Sequence, residues 1–307
     1  PLTNLSLIGA LMKSEHINHT FLDSVLSGEQ VDSYYHLGIT SDDPLIEKML
    51  ELRAVIMGGS GNRINEFAQS WSAEHEDAEI IRFPKEDRFV IRYTAGVLFV
   101  SHGMGMPSAS IAMQEVMRLV YFIHRGSLDR ISEVFWARVG TSGGVGVPSG
   151  TIVVTTEALM PDLKPYRVFD GGKGTTWFES SFPVETAEAI LKANGEEEIP
   201  MTVGKTVATN EFFLEQFRLD GAIVLADLDR KMEWLTWLSE NNVRNIEMEG
   251  AMFAGYLNYW GFRSFAMVCT TMLNRLEGDQ VTATASQLQA YNERSGTVIF
   301  NYLRTII

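Results

Sequence analysis

Arginines stand beside glycine-rich turns at two places where an apolar, strand-like run ends. The run AVIMGGSGNR reaches Gly59 and then Arg63, and the run FWARVGTSGG carries Arg138 before its glycines and Thr141 among them. A third run, VLFVSHGMGMPS, also ends in glycines. Guanidinium groups, a hydroxyl and the backbone amides of a glycine nest are donors that suit one inorganic phosphate. Open α/β sheets bind ligands at the carboxyl ends of their strands, so the three runs together indicate one site.

Two widespread phosphate motifs do not fit these runs. The phosphate loop of nucleotide triphosphatases needs a lysine followed by serine or threonine after its last glycine, and none of the runs has one. The dinucleotide fingerprint, with its later acidic residue, is not completed by GSGNRI or GMGMPS. A smaller anion is therefore the expected ligand.

Two polar pairs in the second half of the chain suit a sugar and a heterocycle. NIEMEG places Glu247 and Glu249 two positions apart, so both carboxylates share one face of an extended strand, or Glu249 opens the following helix. An acid facing a phosphate pocket needs donors to accept from, and sugar hydroxyls are such donors. FFLEQFRLDG supplies Gln216 and Arg218, whose amide and guanidinium can together recognise the edge of a base. One capping acid with one surface acid, and an ordinary amphipathic loop, remain open alternatives.

Helical and strand-like periodicities alternate along the chain. Helices are predicted in 63–74, 108–124, 183–194, 228–241, 249–260 and 286–305. Strands are predicted in LRAVIMGG, RFVIRYTAG, GVLFVSHG, EVFWARVG, GTIVVTTEAL, IPMTVGKTVAT, NIEM and FAMVCTTML. No repeat or Pro-rich linker divides the chain. The pattern predicts one α/β domain over residues 1–307, with a central mixed β-sheet flanked by helices.

Composition excludes several classes of partner. The formal net charge of -14 opposes binding to nucleic acid or to an anionic membrane. No apolar run approaches the length of about 18 residues that a membrane helix needs, so a soluble protein is expected. The single cysteine, Cys269, excludes an internal disulfide and agrees with a cytoplasmic location. The six histidines show no metal-ligand spacing that would predict a metal site.

Five motifs occur in the order seen in the uridine phosphorylase branch of the nucleoside phosphorylases: SHGMGMPSAS, RVGTSGG, FFLEQFRLDG, NIEMEG and LNRLEGDQ. The chain resembles this family, closest to its animal-type branch, from about Tyr34 to the C-terminus. The resemblance implies an α/β domain around a mixed sheet. It also implies a homodimer whose active sites are shared between the two subunits.

The resemblance also implies roles for individual residues. Phosphate binding is assigned to Gly59, Arg63, Arg138, Thr141 and Arg88 of the partner subunit. Arg92 is the alternative to Arg88, but the spacing from SHGMG favours Arg88. Nucleoside binding is assigned to Phe212, Gln216, Arg218, Met248, Glu249, Met272, Leu273 and His36 of the partner subunit, with Arg218, Gln216 and Arg138 as the catalytic residues. His36 is expected at the ribose 5′-hydroxyl. Phe217 departs from the smaller or polar residue expected there, and Gly250 stands where serine is common.

The activity implied is reversible phosphorolysis of uridine, giving uracil and ribose 1-phosphate in pyrimidine salvage. Inorganic phosphate is then a co-substrate and no cofactor is expected, although the resemblance leaves room for a monovalent or divalent cation at the dimer interface. A hydrolytic nucleosidase is one alternative, which the arginines beside the glycine runs disfavour. A non-catalytic nucleoside-binding relative is another. A purine phosphorylase is the third, disfavoured because CTTMLNR lacks the acid that purine phosphorylases of this fold place after the last core strand.

Overall fold

A mixed β-sheet lies at the centre of the computed structural model, which describes residues 17–169, 171–195 and 198–307. The strands are β1 (Ser33–Tyr34), β2 (Ile39–Thr40), β3 (Ala54–Gly58), β4 (Ile81–Arg82), β5 (Ile91–Thr94), β6 (Val97–Ser101), β7 (Phe135–Gly144), β8 (Ile152–Leu159), β9 (Tyr166–Phe169), β10 (Thr175–Phe178), β11 (Met201–Ala208), β12 (Val243–Glu247) and β13 (Phe265–Asn274).

Within the described residues the main sheet has nine strands in the order β12-β11-β8-β13-β7-β3-β6-β5-β4. Strands β6, β3, β7 and β13 are mutually parallel, so their carboxyl ends meet at one edge. Strand β12 also pairs antiparallel with the C-terminal end of β7, where Asn245 lies opposite Gly144 and Ile246 opposite Gly143. The predicted mixed sheet is confirmed.

Helices cover both faces of this sheet. They are α1 (His19–Leu26), α2 (Gly61–Ala73), α3 (Met106–Ile123), α4 (Leu128–Glu133), α5 (Val184–Ala193), α6 (Leu228–Glu240), α7 (Gly250–Trp260) and α8 (Ala285–Leu303), with a 3-10 helix over Pro44–Met49. Alternate residues of β3 point to opposite faces: Val55 and Met57 pack with α3 and α7, and Ala54 and Ile56 pack with α2, α5 and α8. The sheet is therefore buried on both sides, which explains the continuous apolar runs in the sequence.

Capping side chains explain where several helices begin. The Ser60 hydroxyl accepts a hydrogen bond from the Arg63 amide at the start of α2, and Asp227 caps α6 in the same way. At α8, Thr284 and Gln287 form a reciprocal capping box. The cap at Ser60 matters for the site, because it puts Arg63 in the first turn after a glycine-ended strand.

The six predicted helices are confirmed, with ends within two residues of those expected. The β9–β10 hairpin was not predicted, because the segment from Met160 to Ser180 carries no clear alternation. In the part of the chain described here, no helix combines the length and apolarity needed to cross a membrane.

Candidate active site

One cavity of about 490 Å³ opens at the edge where the parallel strands end. It brings together residues that the sequence places on five separate segments. Those predicted from the sequence are Gly59, Arg63, Arg138, Thr141, Phe212, Gln216, Arg218, Met248, Glu249, Met272 and Leu273. The side chains expected from the motifs and from the family resemblance therefore line one cavity.

The glycine turns after β3 and β6 pack against each other. A Cβ atom built on Gly59 would lie 2.9 Å from the carbonyl oxygen of Gly103, so a larger residue would push the two turns apart. This close approach explains the glycines in both runs. It also brings the start of α2 beside the start of α3.

The glycines after Arg138 do not form the predicted nest. They continue β7 to Gly144, where Gly143 and Gly144 pair with β13 on one side and β12 on the other. A nest needs residues of alternating backbone handedness, whereas of the glycines in this stretch only Gly146 has a positive φ, 65°. Glycine is required at position 144 because an added Cβ would lie 2.7 Å from the carbonyl oxygen of Val147 and 3.0 Å from that of Leu273. Of the three glycine-ended runs, this one therefore continues as a strand and does not form a nest.

Arg138 is buried between two carboxylates. Its Nη2 lies 2.9 Å from Oε2 of Glu247 and donates a hydrogen bond to Oε2 of Glu249, while Nη1 lies 3.1 Å from Sγ of Cys269. Burial by itself lowers the pKa of Arg138, but the two carboxylates outweigh it and raise that pKa above the usual arginine value. The Nε atom is buried and has no hydrogen-bond partner within the described residues. Arg138 is thus a fixed cation whose Nε–H group remains available as a hydrogen-bond donor.

The two glutamates have different tasks. Glu247 caps α7 by accepting hydrogen bonds from the amides of Glu249 and Gly250, and burial raises the pKa of its carboxyl. Burial also opposes ionisation of Glu249, yet Arg138, His102 and the Gly105 amide together lower the pKa of Glu249. One acid is a cap, as the alternative reading of NIEMEG allowed, but both are buried, so neither is a surface acid. Glu249 is the carboxylate that remains able to accept from a ligand.

Gln216 is held from two sides in the floor of the cavity. Its Nε2 donates to the Thr209 hydroxyl at 2.9 Å, and its Oε1 accepts from Nη1 of Arg275 at 3.2 Å. Nη2 of Arg275 also donates to the backbone oxygen of Gln216 at 2.7 Å. Arg275 was missed by the sequence analysis. The signal for it was the pair Arg275 and Asp279, four residues apart just after the last strand of the sheet, whose side chains form a buried ion pair at 2.9 Å.

Arg218 lines the cavity, and its guanidinium is held in place by neighbouring groups. Nε and Nη2 bind the Asp220 carboxylate at 2.9 and 2.6 Å, and Nη2 also donates to the backbone oxygen of Asp279. The guanidinium lies over the Phe212 ring, 4.5 Å from its centroid. The loop predicted to recognise a heterocycle is thus ordered by its own acid and aromatic residues.

Phe217 holds this loop from the outside. Its backbone is left-handed, with φ of 47°, a conformation that costs a non-glycine residue about 1–2 kcal/mol. Its ring packs edge-on against Trp234 at 5.2 Å, under the guanidinium of Arg230. Packing of the ring against α6 offsets the strain, which explains why a large residue is tolerated between Gln216 and Arg218.

His36 and Arg88 do not line this cavity. Arg88 is exposed and, within the described residues, has neither a hydrogen bond nor an ion pair of its own. Arg92, the alternative, is buried and engaged by Glu86 at 2.5 Å and Asn65 at 2.9 Å. Among the residues that the structure describes, no group of three or more metal-ligating side chains lies close enough to hold a metal ion.

The fold and the cavity together define a class: an α/β protein with a nucleoside-phosphorylase-like fold, in which one cavity joins buried arginines, a carboxylate and an amide–guanidinium pair. Residues 53–306 match the model of the Phosphorylase superfamily, and the chain belongs to that family. A curated relative in Caenorhabditis elegans, named uridine and thymidine phosphorylase, is 36% identical over 277 residues, covering 89% of this chain and 90% of that protein.

Two further relatives come from Schistosoma mansoni. The crystal structure of its uridine phosphorylase in complex with thymine has a TM-score of 0.83 at 33% identity, covering 92% of this chain and 98% of the other. A second protein of that organism, 31% identical and covering 92% of this chain and 95% of its own length, is named inactive uridine phosphorylase B. Relatives at this level of identity thus include one named as a uridine and thymidine phosphorylase and one named as inactive.

Proposed function

We propose that this protein cleaves uridine with inorganic phosphate, giving uracil and ribose 1-phosphate. The observation that carries the proposal is the content of one cavity, which Arg63, Arg138, Glu249, Gln216 and Arg218 all line. The two arginines 63 and 138 suit phosphate, Glu249 suits a ribose hydroxyl, and Gln216 with Arg218 suit a base.

The phosphate end has charge and donors for a dianion. Arg63 lies in the first turn of α2, where the helix dipole also favours an anion, and the spare Nε of Arg138 is a buried donor. Gly59 and Thr141 line the same cavity and supply a backbone close approach and a hydroxyl. These four residues and Arg88 of the partner subunit are the proposed phosphate ligands.

Catalysis follows from placement and charge. Phosphate attacks C1′ as the bond to the base loosens, so negative charge develops on the leaving uracil. The oriented guanidinium of Arg218 would stabilise that charge. Binding both reactants in attack geometry would supply the remaining rate acceleration. Met248 and Glu249 would bind the ribose, with Glu249 accepting from its 2′-hydroxyl. No covalent intermediate is required.

Base selection follows from the donors in the cavity. Uracil presents two carbonyl acceptors with an N–H between them, which Gln216 and Arg218 complement, while Phe212, Met272 and Leu273 would contact its face and edges. Cytosine would set an amino donor against the donors of Arg218, which costs about 1–3 kcal/mol for the unpaired group. Oε1 of Gln216, which already accepts from Arg275, keeps a second lone pair for the N–H of uracil.

The proposal includes a homodimer in the cytoplasm in which Arg88 and His36 of the partner subunit complete each cavity. Its support is the exposure of Arg88 in the single chain and the engagement of Arg92 elsewhere. The single cysteine of the sequence, Cys269, cannot form an internal disulfide, which agrees with a cytoplasmic location.

The deciding assay is release of uracil from uridine by the purified protein, with and without phosphate, with ribose 1-phosphate measured in parallel. We expect release only with phosphate and an equal amount of the sugar phosphate. Release without phosphate would identify a hydrolase. Binding of uridine without release would place the protein with the inactive relative, and neither binding nor release would reject the substrate.

Mixing two damaged dimers tests the shared cavity. Arg88→Ala and Arg218→Ala proteins are each expected to be nearly inactive, because each lacks one residue in both cavities. After subunit exchange, about a quarter of wild-type activity should return, since about half of the dimers are mixed and each mixed dimer has one intact cavity of two. Activity is measured before and after exchange.

The control for this experiment is a mixture of Arg63→Ala and Arg218→Ala proteins. Both residues line the same cavity of one chain. In a mixed dimer each of the two cavities therefore carries one substitution, neither cavity is intact, and no activity should return. Recovery equal in the two mixtures, or none with Arg88→Ala, would contradict the assignment of Arg88 to the partner subunit.

A further inference from the structure

A buried carboxylate far from the cavity is fully engaged by the segment that carries His36. Glu115 lies in the middle of α3 and is 7% exposed. Its Oε1 is 2.6 Å from Nδ1 of His36, and its Oε2 accepts hydrogen bonds from the backbone amides of His36 at 2.9 Å and Leu37 at 3.1 Å. One side chain therefore holds both the backbone and the ring of a residue 79 positions away.

These contacts fix how the imidazole is used. An ionised carboxylate only accepts hydrogen bonds, so Nδ1 of His36 carries the hydrogen, and in the neutral ring Nε2 carries the lone pair. The ring packs edge-on against Tyr35 at 5.0 Å and lies 6.4 Å from the Phe89 ring. The His36 side chain still keeps 28% exposure, so one part of an otherwise fixed ring faces outward.

Packing alone does not account for an acid at position 115. The neighbouring positions on α3 that face the core are Ala112, Met113, Val116 and Leu119, all fully buried. A carboxylate among them loses hydration, and that cost is offset only by the three donors of residues 36 and 37. Within the described residues, every side-chain hydrogen bond of Glu115 goes to His36 or Leu37.

The same helix also contacts the proposed ribose acid. The amide of Gly105, at the start of α3, donates to Oε1 of Glu249. Glu115 lies ten residues further on, about 15 Å along the helix axis. One helix therefore contacts the carboxylate of its own cavity at its start and holds the histidine segment near its middle.

We propose that Glu115 is a positioning residue for nucleoside recognition, which fixes the orientation and tautomer of His36 so that its outward Nε2 meets the ribose 5′-hydroxyl in the cavity of the partner subunit. The inference rests on the proposed function, in which the protein is a homodimer and His36 of one subunit reaches the cavity of the other. It adds a residue that touches neither phosphate nor nucleoside, and it makes 5′-hydroxyl recognition depend on α3.

The test compares uridine with 5′-deoxyuridine in the full chain. Glu115→Gln keeps the size of the side chain but removes the charge that orders the ring. It should raise KM for uridine about tenfold, the loss of one oriented hydrogen bond, and change kcat less than twofold. KM for 5′-deoxyuridine should not change, and Glu115→Gln should add nothing in a His36→Ala background. Glu188→Gln, an exposed acid on α5, is the matched control and should alter neither substrate.

An equal rise in KM for both substrates, or an effect that persists in the His36→Ala background, would overturn the positioning role and leave Glu115 a structural residue. The ring itself gives a readout that needs no turnover. Nitrogen-15 NMR of His36 should show hydrogen on Nδ1 in the wild type and lose that preference in Glu115→Gln. Hydrogen on Nε2 in the wild type overturns the inference even if uridine is cleaved. If uridine is not cleaved, the proposed function fails, while the NMR result still decides the role of Glu115.

Discussion

Replacing Arg218 with alanine is expected to lower kcat for uridine by about 100- to 1000-fold while the KM for phosphate stays the same, since one oriented donor to developing charge is worth that much. The proposed phosphate ligands are other residues, Arg63 in the first turn of α2 and Arg138 within β7. Arg218 is held in place by Asp220 before any base arrives, so its charge needs little reorganisation. Initial rates with each substrate varied in turn separate the two effects.

Arg230→Ala is the matched control for this variant. Arg230 lies over the Phe217 ring at 5.4 Å, on the outside of the same loop, and does not line the cavity. We expect it to keep wild-type kcat. Turnover unchanged in Arg218→Ala would refute the charge-stabilising role. An equal loss of kcat in both variants would show that kcat depends on the structure of the loop and not on the charge of Arg218.

The sequence predicted the place of the cavity because of a general property of parallel strands. Gly59, Gly103 and Arg138 each follow or end an apolar run, and strands that run parallel bring such positions to one edge. The place of the cavity was therefore predictable without knowing the strand order, whereas Phe212, Met248, Met272 and Leu273 were assigned to it through the family resemblance and Arg275 was missed.

What the sequence did not predict depends on which segments pair. Gly144 reads as a loop residue, and it becomes a strand residue only because β12 and β13 approach from both sides. The residue pattern alone left the roles of Glu247 and Glu249 open, and only the family resemblance selected Glu249. In the structure both acids contact Arg138, and Glu247 alone also caps α7. The link between His36 and Glu115 crosses 79 positions with no local signal. Each miss is a long-range contact, which no local periodicity contains.

Arg138→Met should cost the protein about 3–5 kcal/mol of unfolding free energy, because it leaves two buried carboxylates without their cation. Both glutamates are 4% exposed, so water cannot replace the guanidinium. Urea unfolding measures the loss, and KM for phosphate, measured at low temperature where the variant stays folded, should rise as well. Arg82→Met, at an exposed position of β4, is the control and should change stability by less than about 0.5 kcal/mol.

A second substitution separates the charge from the packing. If stranded charge is the cause, adding Glu249→Gln to Arg138→Met should recover part of the lost stability, because one uncompensated carboxylate is removed, although Glu249→Gln alone should destabilise the wild type. A double variant that is less stable than Arg138→Met would contradict this account and point to lost packing against Met267 and Cys269 instead. In that case Arg138 would stabilise the fold through packing, and its charge would act only on the bound phosphate.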